Sequence, residues 1–199
     1  MTAPDPERLQ DALALCRAGD QAGYAALYDL YAGGIYRLCY GLLLHHEDAE
    51  DVAQEAFVYA FRNLYRFDPA RASFKTWLYT IAISRCRNHY RRSRRPLVDL
   101  GALVAGELPA PRSQTPEAAH ARSSAREALE QALAHLKPAL REAVVLRYAH
   151  GLTYREVAEI MDCPPKTAES RVRLAHETLR KALDGPGQGL LEELWAWRE

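Results

Sequence analysis

The chain has 199 residues, 48% hydrophobic and 26% charged, enough for one ordinary domain or two small ones and too apolar to be disordered throughout. Acidic and basic residues balance to a formal net charge of zero. That balance excludes a uniformly basic or acidic chain, and what remains informative is how the charges segregate.

The opening stretch MTAPDPERLQ is acidic and polar, without the basic start and apolar run of a signal peptide. No apolar run elsewhere is long enough to span a bilayer, so a cytoplasmic protein with no membrane insertion is expected. Cys16, Cys39, Cys86 and Cys163 are far apart and form no CxxC pair, which points to free thiols rather than a disulfide framework or a zinc knuckle.

Helical periodicity dominates and no alternating strand pattern interrupts it, so the expected class is all-α, with two small helical domains joined by a flexible linker. The first block covers residues 1–95, with helix from about Pro6. Leu27, Leu30, Tyr31, Ile35, Leu38 and Leu42 recur there at spacings of three and four.

Within this block, DAEDVAQEAF (residues 48–57) predicts a helix with Val52, Ala56 and Tyr59 on its core side. Asp48, Asp51, Gln54 and Glu55 form an adjoining polar flank. Between His45 and Ala56 there are five acids and no Lys or Arg. Between Arg66 and Arg95 there are nine bases against Asp68 alone, a net of +8 that suits nucleic acid.

The basic segment places Phe74, Trp77, Leu78, Ile81 and Cys86 at core-compatible spacing, with Arg85, Arg87, Arg91 and Arg92 on other faces. Aromatic groups beside cations can stack unpaired bases while arginines hold phosphates. Phe74 and Trp77 nevertheless fit a core, and the loop from Tyr65 to Ser73 is the better base-capturing surface because it need not supply a continuous core face.

Periodicity fails from Pro96 to Ala119, where Pro, Gly and small residues concentrate, and residues 96–122 are read as a linker. The second block, 123–185, begins with a helix marked by Leu129, Leu133 and Leu136. Pro138 then suits the first turn of the next helix, and Gly151 is a left-handed stop after Leu140, Val144 and Tyr148. TYRE, residues 153–156, is a capping box opening a short helix through Met161. DCPPK forces a turn, and Pro165 can start a last helix that buries Ala168, Val172, Ala175 and Leu179. That helix presents Lys166, Glu169, Ser170 and Arg173, with Arg171 and His176 at the flank. Two helices joined by a tight turn, the second exposing basic and hydroxyl groups, make a helix-turn-helix suited to the major groove. In the tail, 186–199, Leu190, Leu191, Leu194 and Trp195 would share one side of a short amphipathic helix of unknown role.

DAEDVAQEAFVYAFRNL, FKTWLYTIA and LREAVVLRYAHGLTYREVAEIMDCPPKTAESR together resemble the second and fourth regions of the extracytoplasmic-function sigma factors of bacterial RNA polymerase. The likeness covers about residues 22–92 and 129–181, in the family's order and with a linker between them. It implies that the DxxQE element, here Asp51, Gln54 and Glu55 with Asp48 beside it, docks on a basic coiled coil of the largest polymerase subunit. It implies further that the basic helix and its preceding loop engage the melted promoter element nearer the start site. The residues concerned are Tyr65, Phe67, Arg71, Ser73, Lys75, Ser84, Arg85, Asn88, Arg91 and Arg92. The last helix would read the upstream element as duplex through Lys166, Thr167, Glu169, Ser170, Arg171, Arg173 and His176. The linker would pass near the active-site channel of the polymerase. Core polymerase and promoter DNA are the implied partners, and an anti-sigma factor is a third that the family admits.

The chain departs from the family pattern at four positions. Ser84 stands where IAxN usually ends, and Asn88 replaces the usual Asp before the arginine pair. In KTAESR, Lys166 replaces Gly and Glu169 replaces a frequent Lys or Arg. Glu169 has two uses open to it, accepting from a cytosine amino group or pairing with Arg173 one turn on.

A helix-turn-helix regulator acting without the polymerase core would explain the last block but not the acidic helix adjoining the basic one. In HHEDAED, His45, His46, Glu47 and Asp48 are metal-ligating types, but adjacent residues on a helix diverge. The run is read as a solvated turn and helix start. No metal, cofactor or catalytic residue is expected.

Overall fold

The computed structural model describes residues 5–93 and 116–183, which fall into two compact units of helices with no strand among the described residues.

The first unit holds α1 (Pro6–Arg17), α2 (Gln21–Leu43), α3 (His46–Arg62) and α4 (Phe74–Ser93). Asp5 caps α1 by accepting from the Glu7 amide, and Pro6 occupies the first turn, where its missing N–H leaves no acceptor unsatisfied. Gly19, at φ +78, lets the chain reverse, and the Asp20 carboxylate accepts from the Ala22 amide to start α2. At Gly23 the two helices meet backbone to backbone. A Cβ there would lie 2.6 Å from the Cys16 nitrogen and 2.7 Å from the Ala12 oxygen.

The stripe along α2 is buried as its spacing predicts: Leu27, Tyr31, Ile35, Leu38 and Leu42 are in the core, and Leu30 is half-buried. Each fully buried Leu or Ile contributes about 1.5–3 kcal/mol. Tyr31 packs at a tilt against Phe74 of α4, ring centroids 5.2 Å apart, and the Tyr79 hydroxyl lies over Gly34, where a Cβ would stand 3.0 Å from it. Burial pushes both phenols up to about 12, so both stay protonated.

The second unit holds α5 (Pro116–His135), α6 (Pro138–Val144), α7 (Tyr154–Met161) and α8 (Pro165–Ala182). α5 begins at Pro116, inside the interval 96–122 read from the sequence as a linker. The Pro-rich composition there also supplies the proline that suits a first helical turn. The rest of that linker and the tail, 186–199, lie outside the described residues.

At the other end of α5, the buried Arg141 of α6 donates to the Leu133 carbonyl at 2.8 Å and the Ala134 carbonyl at 2.7 Å. It thereby satisfies carbonyls that the helix end leaves without partners. After α6 the chain widens into one π-helical turn, Val145–Ala149, and stops at Gly151 with φ +64.

Candidate functional site

Two surfaces carry the sequence-derived candidates, one on each unit. On the first, the buried row of α3 is Ala49, Val52, Ala53, Ala56, Phe57 and Ala60, which turns Asp51, Gln54 and Glu55 outward on one flank. Phe57 fixes this orientation through ring contacts with Tyr28 and Phe61. Tyr59 does not face the core as its spacing suggests. It is 38% exposed, and the Arg85 guanidinium lies over its ring at 4.2 Å. Position 59 lies at the margin of the apolar stripe, and a neighbouring cation makes the outward rotamer favourable.

Asp51, Gln54 and Glu55 line one open groove together with Val58, Tyr59, Arg62, Arg85 and Arg92. The acidic flank and the basic helix therefore share a surface, and Arg85 and Arg92 border the acids instead of occupying a separate face. Asp48 sits apart from the groove, half-buried, with its Oδ2 3.3 Å from Nε2 of His89 on α4. Val58, Tyr59 and Arg62 are members of this groove that sequence reasoning missed, and His89 is the partner of Asp48 that it missed. The spacing of Glu55, Tyr59 and Arg62 by four and three was the available signal.

The loop before α4 brings a second set together. Tyr65 is 77% exposed, with Arg66 stacked on its ring, and Arg71 is exposed. Phe67 is half-buried, packed edge-on against Phe74 at 5.3 Å and tilted against Trp77 at 5.4 Å. Ser73 caps α4, its Oγ accepting from the Thr76 amide and sharing a hydrogen bond with the Thr76 hydroxyl. Lys75 reaches over the Tyr79 ring. Ser84, Arg91 and Arg92 are exposed along α4, and Asn88 accepts from the Arg91 guanidinium. Arg94 and Arg95 lie outside the described residues.

On the second unit, Thr153 Oγ1 accepts from the Glu156 amide at 3.3 Å, while Glu156 accepts from the Thr153 amide at 2.8 Å, closing the capping box. Arg147 donates to the Leu152 carbonyl and stacks on Tyr154, which ties the preceding turn to the start of α7. Asp162, at φ 53, makes the left-handed C-terminal residue of α7, and Pro165 opens α8. Ala168, Val172, Ala175 and Leu179 are buried. Lys166, Glu169, Ser170 and Arg173 are exposed, while Thr167, Arg171 and His176 are half-buried. Arg173 pairs at 3.0 Å with Glu177, not with Glu169. His176 has its pKa lowered, by burial first and by the charge of Arg180 second, with Glu177 opposing. Leu174, half exposed on the same helix, escaped the sequence reading.

Among the described residues no group of three or more His, Cys, Asp or Glu is placed to hold a metal, and no helix is long and apolar enough to cross a membrane.

Comparison with known proteins matches residues 27–96 to the Sigma-70 region 2 family and residues 126–179 to the Sigma-70, region 4 family. The ECF RNA polymerase sigma factor SigW of Bacillus subtilis is 36% identical, over 84% of this chain and 92% of its own. The ECF RNA polymerase sigma-E factor of Escherichia coli is 32% identical, over 93% of this chain and 98% of its own. Among solved structures, CnrH in complex with the cytosolic domain of CnrY shares the fold at a TM-score of 0.64 and 22% identity, over 87% of this chain and 96% of that one. The sigma factor RpoE in complex with the anti-sigma factor NepR, from Bartonella quintana, shares it at 0.63 and 23%, over 80% and 95%.

Proposed function

The chain belongs to the extracytoplasmic-function sigma factors of bacterial RNA polymerase, and on that premise we propose how its two units divide the work of initiation. It binds core polymerase and directs promoter recognition, melting and the start of transcription. Residues 1–95 serve as the domain for core polymerase and the melted strand, residues 123–185 as the duplex reader, and the segment between as their connection.

In the first domain, Asp51, Gln54 and Glu55 meet a basic surface of the polymerase, and Asp48 supports them from the α3 start. Tyr65 and the loop to Ser73 take an unpaired base, with Phe67 as the packed floor, while Arg71, Lys75, Arg91 and Arg92 hold the backbone of the melted strand. Ser84 and Asn88 supply neutral hydrogen-bonding groups on the same helix. In the second domain, α8 enters the major groove of the upstream element. The protein acts in the cytoplasm and is not itself an enzyme. On the precedent of the RpoE complex with the anti-sigma factor NepR, an anti-sigma factor is the third partner proposed.

One observation carries this reading. An outward acidic flank borders a basic helix in the same chain as a capped helix-turn-helix with an exposed polar face. A regulator acting without polymerase has no use for the first of these. Reconstitution with purified core polymerase tests it: the mixture should initiate from specific promoters where core alone does not. A chain that binds promoter duplex but neither binds core nor supports initiation would leave only the regulator reading.

A further inference from the structure

We propose that Glu169 is a specificity-determining residue of α8 and that it selects a cytosine at one position of the upstream element. The inference rests on the reading of α8 as the helix that enters the major groove.

Glu169 is exposed on α8, to one side of the buried row of Ala168, Val172 and Ala175. Its nearest helical candidate for a partner, Arg173, turns toward the C-terminus instead and pairs with Glu177 at 3.0 Å. Among the described residues Glu169 takes part in no hydrogen bond or ion pair. Of the neighbouring carboxylates, Glu156 is committed to the capping box and Glu177 to Arg173.

A bare carboxylate on a surface that meets DNA repels phosphate at every sequence and weakens binding uniformly unless a base edge offers it a donor. Guanine presents only acceptors in the major groove, and thymine presents an acceptor and a methyl group. Adenine sets its amino group beside the N7 acceptor. Cytosine offers its N4 amino group with no acceptor of its own. An ionised carboxylate can only accept. Cytosine is therefore the base that satisfies Glu169 without a repulsive neighbour on the same ring, and the other three are disfavoured by the same charge. Selection arises from one attraction and from repulsion of the alternatives.

The test uses holoenzyme assembled from the full chain and core polymerase, transcribing a promoter library randomised in the upstream element at one fixed salt concentration. Wild-type holoenzyme should enrich cytosine at one position by about tenfold over the other bases, the order expected of one good base contact. Glu169→Ala should flatten that position alone and raise transcription from the disfavoured templates. Glu169→Gln, which can donate as well as accept, should move the preference at that position toward adenine. Circular dichroism of both variants should match wild type, since the side chain is exposed. Unchanged base preference in Glu169→Ala overturns the proposal, as does a Glu169-dependent position that favours a base other than cytosine. Absence of any upstream preference in wild type, unaffected by Arg173→Ala, overturns the groove assignment of α8 together with it. If Glu169→Ala leaves the preference unchanged at every position, the groove assignment of α8 stands and only the role of Glu169 has failed.

Discussion

The guanidinium of Arg85 on α4 lies over the ring of Tyr59 on α3, 4.2 Å from its centroid, and this contact sets the acidic flank against the basic helix. A cation over an aromatic face is worth about 0.5–2 kcal/mol depending on how far it is desolvated. Arg85 is half-buried and Tyr59 is 38% exposed, so the lower half of that range applies. Tyr59→Leu should lower the stability of the full chain by about 0.5–1 kcal/mol in urea unfolding, whereas Tyr59→Phe, which keeps the ring, should remain close to wild type. Equal losses in the two variants would assign the effect to the hydroxyl and not to the stacked cation.

Glu55 is exposed at the lip of the same groove, while Val52, Ala56 and Phe57 carry the packing of α3. Charge reversal there leaves the core untouched, and at the proposed polymerase interface it would convert an attraction into like-charge repulsion, a change that costs several kcal/mol. Glu55→Arg should keep the far-ultraviolet circular dichroism and the thermal transition nearly intact and sharply weaken binding to core polymerase. Titration of core with the two proteins at matched salt measures this. Equal affinities would remove the acidic flank from the interface.

Much of this arrangement was legible in the sequence because it rests on local chemistry. The Thr153 capping box, the left-handed Gly151 and the helix start at Pro165 depend on residues within a few positions of each other, and each forms as its sequence signature predicts. The buried rows of α2 and α8 follow from spacing alone. Tyr59 was misplaced because a position at the edge of a 3.6-residue stripe is decided by its tertiary neighbour, and Arg85 is 26 positions away in the chain. Arg173 had carboxylates four residues away on both sides, and spacing cannot choose between Glu169 and Glu177. The start of α5 was hidden because composition marked the segment as a linker, although a proline after Thr115 is also a helix-start signal. The single π turn at Val145–Ala149 adds no residue type that would announce it.

Gly23 is required by closeness, not by backbone angle. A Cβ there would stand 2.6 Å from the Cys16 nitrogen, 2.7 Å from the Ala12 oxygen and 2.8 Å from the Leu15 Cβ, and two of these three atoms are backbone that cannot turn aside. Alanine gains about 1 kcal/mol of helix propensity over glycine, but forcing α1 away from α2 costs about 1–3 kcal/mol or more. Overpacking wins. Gly23→Ala should lower the unfolding midpoint in urea, and a midpoint at or above that of wild type would show that α1 yields without loss.

Removal of the Thr153 hydroxyl leaves the Glu156 amide without its cap and frees the Glu156 side chain from one of its partners. Loss of such a cap costs about 0.5–2 kcal/mol. Because α7 supports α8, Thr153→Ala should also weaken upstream-element dependence in transcription, and Thr153→Ser should restore both stability and dependence. Failure of serine to rescue would mean that the methyl group, not the cap, matters at this position.

His176 sits half-buried on α8, with its pKa held below its ordinary value of 6.5 by burial first and by Arg180 second, and with Glu177 acting in the opposite direction. A lowered folded-state pKa means that the unfolded chain binds the proton more readily, so stability rises with pH across the interval between the two values. The contribution is fully present above pH 6.5 and is lost as the pH falls through the folded-state value. The wild-type thermal midpoint should therefore fall between about pH 7 and about pH 5 by more than that of His176→Gln, which keeps a polar side chain but cannot take up the proton. A proton magnetic resonance titration of the His176 ring should give a midpoint below 6.5 in the folded chain. A midpoint above 6.5, or parallel midpoint curves for the two proteins, would show that Glu177 outweighs burial and Arg180.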